Sequence, residues 1–233
     1  MTLYITRLFG QEAAVLALPF AEVILLAFLL GSIPVSYLIG KIFYGVDPRE
    51  FGSGATGATN TARSMGAKAG LATAVLDIFK GWTAVMIARS ILVPEGASGS
   101  SAMYWAAGIA LVAVIAGHAY SPWIQFKGGK GVAVAAGATI AIWWPLFFIE
   151  LAIIALVTFV TGYVGLGSVI AAALLPFWIA VFPATRHIEL IIMGAIAGLF
   201  VVWLHRENIQ RLIAGTENKL SLGKAEKKVS NNE

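Results

Sequence analysis

Residues 131–162 read GVAVAAGATIAIWWPLFFIELAIIALVTFVTG, a block of 32 with Glu150 as its one charged residue. A helix needs about 20 apolar residues to cross the hydrocarbon core, and about 17 at the short end. The block is therefore too long for one span. Trp143-Trp144-Pro145 lies near its middle, where an aromatic pair followed by proline reads as an interfacial turn or as a kink in one long helix.

Outward from this block the same pattern repeats. Apolar runs at about 20–43, 69–92, 102–118, 166–183 and 187–204 are separated by short polar stretches, and the block adds 131–144 and 146–162. Of 233 residues, 59% are hydrophobic and 12% charged, about half the charged fraction of a soluble domain. There is no cysteine, which excludes disulfides, thiolate metal sites and a cysteine nucleophile. The run after Met1–Gly10 continues to about Tyr44 without a small-residue cleavage site, and reads as a retained first span rather than a signal peptide.

Charge decides between the two readings of the block. With seven spans, one face carries twelve Lys/Arg and the other only Arg7, Arg89 and Arg186, with Lys80 inside a span. Merging 131–162 into one span moves the basic tail to the opposite face and leaves seven against eight. Short cytoplasmic loops collect Lys and Arg, so the expectation is an all-α, polytopic membrane protein with seven transmembrane helices, N-terminus outside and C-terminus cytoplasmic. Residues 1–217 form its single domain and 218–233 a polar, basic tail. The net charge of +4 follows from topology, and no nucleic-acid partner is implied.

Three polar clusters then share the cytoplasmic face. Gly52-Ser53-Gly54-Ala55-Thr56-Gly57-Ala58-Thr59-Asn60, followed by Arg63, formally contains G-x-G-x-x-G. A dinucleotide site needs a preceding strand and a βαβ unit, and here an apolar helix precedes it. Exposed glycine N–H groups, the side-chain donors Ser53, Thr56, Thr59 and Asn60, and the Arg63 fork suit an anion; a flexible, capped interhelical loop is the competing reading. Phe126-Lys127-Gly128-Gly129-Lys130-Gly131 opens a helix with two ammonium groups and a positive dipole end, an anion trap or merely positive-inside lysines beside a turn. His205-Arg-Glu-Asn208-Ile-Gln-Arg211, continuing to Gly215-Thr-Glu217, closes the last span; without the other clusters it reads as a charged helix end reaching into headgroups. His118 ends a span just before the second cluster. Asp77 and Lys80 stand three apart inside the second span, a functional pair or a structural ion pair. Glu150 reads as an isolated residue near an interface.

The sequence has no G-x-S-x-G elbow, no H-E-x-x-H and no acidic metal cluster, so neither a covalent serine mechanism nor a catalytic metal is supported. A phosphate-bearing substrate suits these clusters. A transporter of small phosphate-bearing anions is the main rival reading, and a non-enzymatic scaffold the second.

Gly-Ser-Gly-x-x-Gly-Ala-Thr-Asn60 with Arg63, Gly117-His118 through Pro122 to Phe126-Lys-Gly-Gly-Lys-Gly-Val132, and His205-Arg-Glu-Asn-Ile-x-Arg-Leu212 with Gly215-x-Glu217 closely resemble the three cytoplasmic motifs of the bacterial acyl-phosphate:glycerol-3-phosphate acyltransferase (PlsY) family. Gly31-Ser-Ile-Pro34 and Leu76-Asp-Ile-Phe-Lys-Gly81 also look like that family, and the likeness runs from about residue 24 to 217. One departure is Ala55, where the family usually has Asn. The resemblance implies acyl transfer from acyl phosphate to sn-glycerol 3-phosphate, giving lysophosphatidic acid and phosphate at the inner face of a bacterial cytoplasmic membrane, without a cofactor or metal. It implies catalytic roles for Ser53, Arg63, Lys130, His205, Asn208 and Glu217. Substrate contacts fall to Gly52, Gly54, Gly57, Thr59, Asn60, His118, Lys127, Gly128, Gly129, Gly131 and Arg211, and a structural or substrate-orienting role to Asp77 and Lys80. Membrane lipid is an implied partner, and the enzyme producing acyl phosphate a candidate one. Candidate acceptors of the hydroxyl proton are His205, His118, Glu217 and a substrate phosphate oxygen.

Overall fold

The structure, a computed structural model, describes residues 19–92 and 100–220. The tail beyond Leu220, Met1–Gly10 and most of the Gly96–Ser101 loop lie outside the described residues. Within them the chain is helical: α1 (Pro19–Tyr44), α2 (Ala58–Met65), α3 (Ala67–Leu92), α4 (Ser101–Ala119), α5 (Val132–Thr161), α6 (Val164–Val181), α7 (Ile188–Leu204) and α8 (Arg206–Ile213). Helices α1, α3, α4, α5 and α6 are long and apolar enough to cross a bilayer. α7 has 17 residues and bends by 54° into α8. Large apolar side chains such as Leu25, Leu71, Phe159 and Leu199 face outward, as lipid contact requires.

The decisive block is a hairpin of two helices. Trp143 is non-helical, with φ −163° and ψ 106°. The cause is local: Pro145 has no N–H to offer the Ala141 carbonyl four residues back, and Arg89 of α3 donates to that carbonyl instead, at 2.7 Å. Two contacts prove the reversal. Thr139 of the first arm donates to Glu150 of the second at 3.1 Å, although a straight helix separates them by about 16 Å. Lys130, before α5, bonds the Asn208 side chain, while a Cβ on Gly165, after α5, would lie 2.8 Å from the same side chain. Both ends of a segment that would be about 45 Å long if straight thus meet at one residue.

Small residues let the helices approach, because in lipid no hydrophobic force drives them together and close packing must hold them. A Cβ on Gly81 of α3 would overlap the Val134 carbonyl, and one on Gly137 of α5 the Ile78 carbonyl.

α1 is broken at Ile33-Pro34. The break frees carbonyls that a membrane interior cannot leave unpaired. Buried Lys80 donates to Gly31 O (2.8 Å) and Ile33 O (2.9 Å), and Ser121 donates to Ser32 O (2.6 Å). Lys80 also lies 3.0 Å from Asp77 and 3.1 Å from His118 Nδ1. This pair is therefore first a device that closes a gap in α1 and joins it to α3 and α4.

Candidate active site

The three clusters converge on one cavity of about 400 Å³ between α2, α3, α4, α5, α6 and α7. Ser53, Thr59, Arg63, Lys130, His205, Asn208 and Glu217 line one end. Ile115, Phe147, Leu151, Ile154 and Leu175 line much of the rest, with Asp77, His118, Glu150 and Ser168 set among them. The arrangement is amphipathic: cations and hydroxyls at the mouth, hydrocarbon inside.

The first loop is shaped by Asn60. Its Oδ1 accepts from Ser53 N (3.0 Å) and its Nδ2 donates to Pro48 O (2.8 Å) and Ala55 O (3.0 Å). The Asn60 side chain is occupied in holding the loop, whatever else touches it. Gly52 takes φ +54°, and a Cβ there would strike Asn60 Oδ1. Gly52 and Gly54 are exposed and off the cavity wall, whereas Ser53, Gly57 and Thr59 are on it. Arg49 ties this loop to the second one by donating to Ile124 O at 3.0 Å.

The second loop corrects the sequence reading. The Gly128 and Gly129 N–H groups are not free anion donors: they cap the end of α4, donating to Ala119 O (3.0 Å) and His118 O (3.1 Å). Helix ends leave carbonyls that need such partners. Lys127 is exposed and off the cavity wall, while Lys130 and Gly131 are on it. A Cβ on Gly129 would overlap the His118 ring. Gly129→Ala is therefore expected to displace His118 and the Lys130 backbone together and to lower turnover at least about tenfold, the effect of 1.4 kcal/mol of misplacement. Wild-type kcat in the folded variant would contradict this packing.

The third cluster is a chain of polar contacts. Lys130 donates to Asn208 Oδ1, Asn208 Nδ2 donates to Glu217 Oε1 (2.6 Å), and Arg211 Nε donates to Glu217 Oε2 (2.7 Å). Arg211 positions Glu217 and is not itself on the cavity wall. Burial, with Arg211 and Arg63 nearby, holds the Lys130 ammonium below the ordinary lysine pKa, and Glu217 and Glu207 oppose this in part. The chain after Glu217 crosses the mouth: Arg63 donates to Asn218 O (3.3 Å), and Leu220 N to Gly162 O (2.7 Å).

The histidines separate by tautomer. A carbonyl only accepts, so the 2.8 Å contact of His205 Nδ1 with Val201 O puts the hydrogen on Nδ1 and leaves Nε2 a lone pair. Burial lowers its pKa to about 4, so it is neutral at pH 7. The Lys80 ammonium only donates, so His118 Nδ1 is its acceptor. Among the described hydrogen bonds neither histidine pairs with Ser53.

The signal that sequence reasoning missed is Glu150. It is not the isolated residue expected: its helix turns it into the bundle, where it is 9% exposed, bonded to Thr139 and on the cavity wall.

Residues 21–215 match the family model for glycerol-3-phosphate acyltransferase. Similar proteins of that name include those of Gloeobacter violaceus, 39% identical over 83% of this chain and 91% of the relative, and Geotalea daltonii, 42% identical over 85% and 97%. Among solved structures, PlsY, an integral membrane glycerol 3-phosphate acyltransferase, superimposes in its glycerol 3-phosphate form with TM-score 0.77 and 32% identity, over 87% of this chain and 96% of that one. Its lysophosphatidic acid form gives 0.75 and 31%. With its three motifs on one cavity and its helical frame shared with PlsY, the chain belongs to the glycerol-3-phosphate acyltransferase family.

Proposed function

We propose that the chain transfers a fatty acyl group from acyl phosphate to a hydroxyl of sn-glycerol 3-phosphate, releasing lysophosphatidic acid and phosphate. The observation that carries this reading is the single cavity with Arg63 and Lys130 at its mouth and an apolar interior: one end suits two phosphates, the other a hydrocarbon chain. The hydroxyl oxygen attacks the acyl carbonyl carbon, the acyl carbon–oxygen bond to phosphate breaks, and phosphate leaves with the electron pair. Holding both substrates in contact supplies much of the acceleration. Arg63 and Lys130 neutralise the phosphates, and Ser53 donates toward phosphate or the developing oxyanion. Asn208 and Glu217 position Lys130.

His118 Nδ1 is taken by Lys80 and the Glu217 carboxylate is held by Asn208 and Arg211, so His205 Nε2 and a phosphate oxygen are the favoured acceptors of the hydroxyl proton. A phosphate oxygen, with an ordinary second pKa of about 6, is the stronger base than His205 at about 4. Substrate-assisted transfer follows. Purified protein given acyl phosphate and glycerol 3-phosphate, without metal or coenzyme A, is expected to form lysophosphatidic acid. No product in that assay defeats the proposal. A transporter would need two compartments and would leave both compounds unchanged.

Direct transfer also predicts no acyl-enzyme. After incubation with labelled acyl phosphate alone, the intact mass should be unchanged; a stoichiometric adduct on Ser53 that discharges to glycerol 3-phosphate at a competent rate would overturn it.

The hairpin supports seven crossings; the charge asymmetry supports a cytoplasmic site and an external N-terminus, and family membership supports a bacterial inner membrane. The chain has no cysteine, so single-cysteine labelling has no background. In intact cells an impermeant maleimide should label Ala184→Cys and not Thr216→Cys. The reverse pattern would invert the topology.

A further inference from the structure

We propose that Glu150 sets the acyl-chain preference of this enzyme, as a polar collar on the cavity wall that disfavours chains long enough to pass it. This rests on reading the apolar end of the cavity as the acyl-chain site.

Glu150 is on the cavity wall and 9% exposed. Its neighbours along that wall, Phe147, Leu151 and Ile154, are apolar. Its one hydrogen-bonding partner among the described residues is Thr139, at 3.1 Å. That hydroxyl also lies 2.9 Å from Ala136 O and has a single hydrogen to give. Two carboxyl oxygens therefore share at most one donor, and among the described residues no cation pairs with the group. Such a group keeps its demand for polar company.

Its depth follows from the helix. Thr139 is nine residues beyond Lys130 on the first arm of α5, about 14 Å of rise, roughly ten methylenes of extended chain. A short acyl chain anchored by its phosphate at Lys130 ends before the Thr139–Glu150 contact. A longer one must lay methylenes against the carboxyl and forfeits part of their transfer free energy. The contact also pins the two arms of the hairpin, and a purely structural role would leave chain preference untouched.

The test compares kcat/KM for octanoyl phosphate and hexadecanoyl phosphate, at saturating glycerol 3-phosphate, in wild type, Glu150→Leu and Glu150→Gln. Glu150→Leu is expected to raise the hexadecanoyl-to-octanoyl ratio roughly tenfold, the effect of about two methylenes. The octanoyl value and the KM for glycerol 3-phosphate should stay near wild type. Glu150→Gln keeps the shape and a partner for Thr139, and should move the ratio the same way by less; it decides the matter if Glu150→Leu does not fold. An unchanged ratio in an active variant overturns the proposal and leaves Glu150 as a pin. Wild type inert toward both acyl phosphates would overturn the donor assignment instead, a distinct failure.

Discussion

Lys80→Ala is expected to lose about 3–5 kcal/mol of stability, the cost of removing one partner from a buried ion pair. The loss has three parts: the Asp77 carboxylate is left uncompensated, Gly31 O and Ile33 O lose their donor, and His118 loses the group that fixes its ring. In detergent this should appear as a large drop in melting temperature or as failure to accumulate. A second variant separates the parts. Asp77→Ala/Lys80→Ala removes the orphaned carboxylate and should recover some of the loss, although Gly31 O stays bare and Ile33 O keeps only Val35 N. A single variant within 1 kcal/mol of wild type, or a double variant no better than the single, would sink this account of the pair.

Lys130→Ala is expected to fold normally and to lose roughly 10- to 100-fold in kcat/KM, as one charge-assisted contact to an anionic substrate disappears, about 1.5–3 kcal/mol. Lys130 lies outside the helices and its contact is with Asn208 at the cavity mouth, so stability should change little. The pH profile carries the sharper signature. Catalysis needs the ammonium form, and its pKa is held below the ordinary value by burial. Activity should therefore fall, as pH rises, at lower pH than an unperturbed lysine would give. In Lys130→Ala that alkaline limb should vanish from the residual activity. A limb that survives the substitution belongs to another group. Arg63→Ala should lower activity in the same direction with no such change in the limb.

The helices were legible in the sequence to within a few residues because apolar run length reports directly on bilayer thickness: 69–92 was expected and Ala67–Leu92 is found, 187–204 was expected and Ile188–Leu204 is found. The break in the 131–162 block was legible from Trp143-Trp144-Pro145, and its reason from Pro145. Its partner Arg89 was not, since a cation three helical turns beyond Asp77 says nothing about which carbonyl it meets. The clusters Ser53–Arg63, Lys130 and His205–Glu217 were legible as polar groups in an apolar chain, and they do share one cavity. Which glycines bind and which merely cap was not legible. Gly128 and Gly129 look like open donors until the carbonyls of His118 and Ala119 are placed against them. Glu150 was misread for a related reason: which side of its helix meets the bundle is decided by Thr139 and the packed neighbours, and the sequence does not place them.

The repair of α1 by Lys80 also bears on how the chain is made. α1 leaves the ribosome before α3, with Gly31 O unpaired in its own backbone, and the lysine that donates to Gly31 O and Ile33 O is encoded 49 and 47 positions later. At about 5–20 residues per second, the nascent helix waits several seconds for its donor. During that interval a polar notch faces either lipid or the insertion machinery, and lipid offers it nothing. The Gly31 carbonyl of the first helix thus stays without its donor until α3 has been synthesised, Ser32 O waits longer still for Ser121, and α1 and α3 enter the bilayer as one unit of biogenesis.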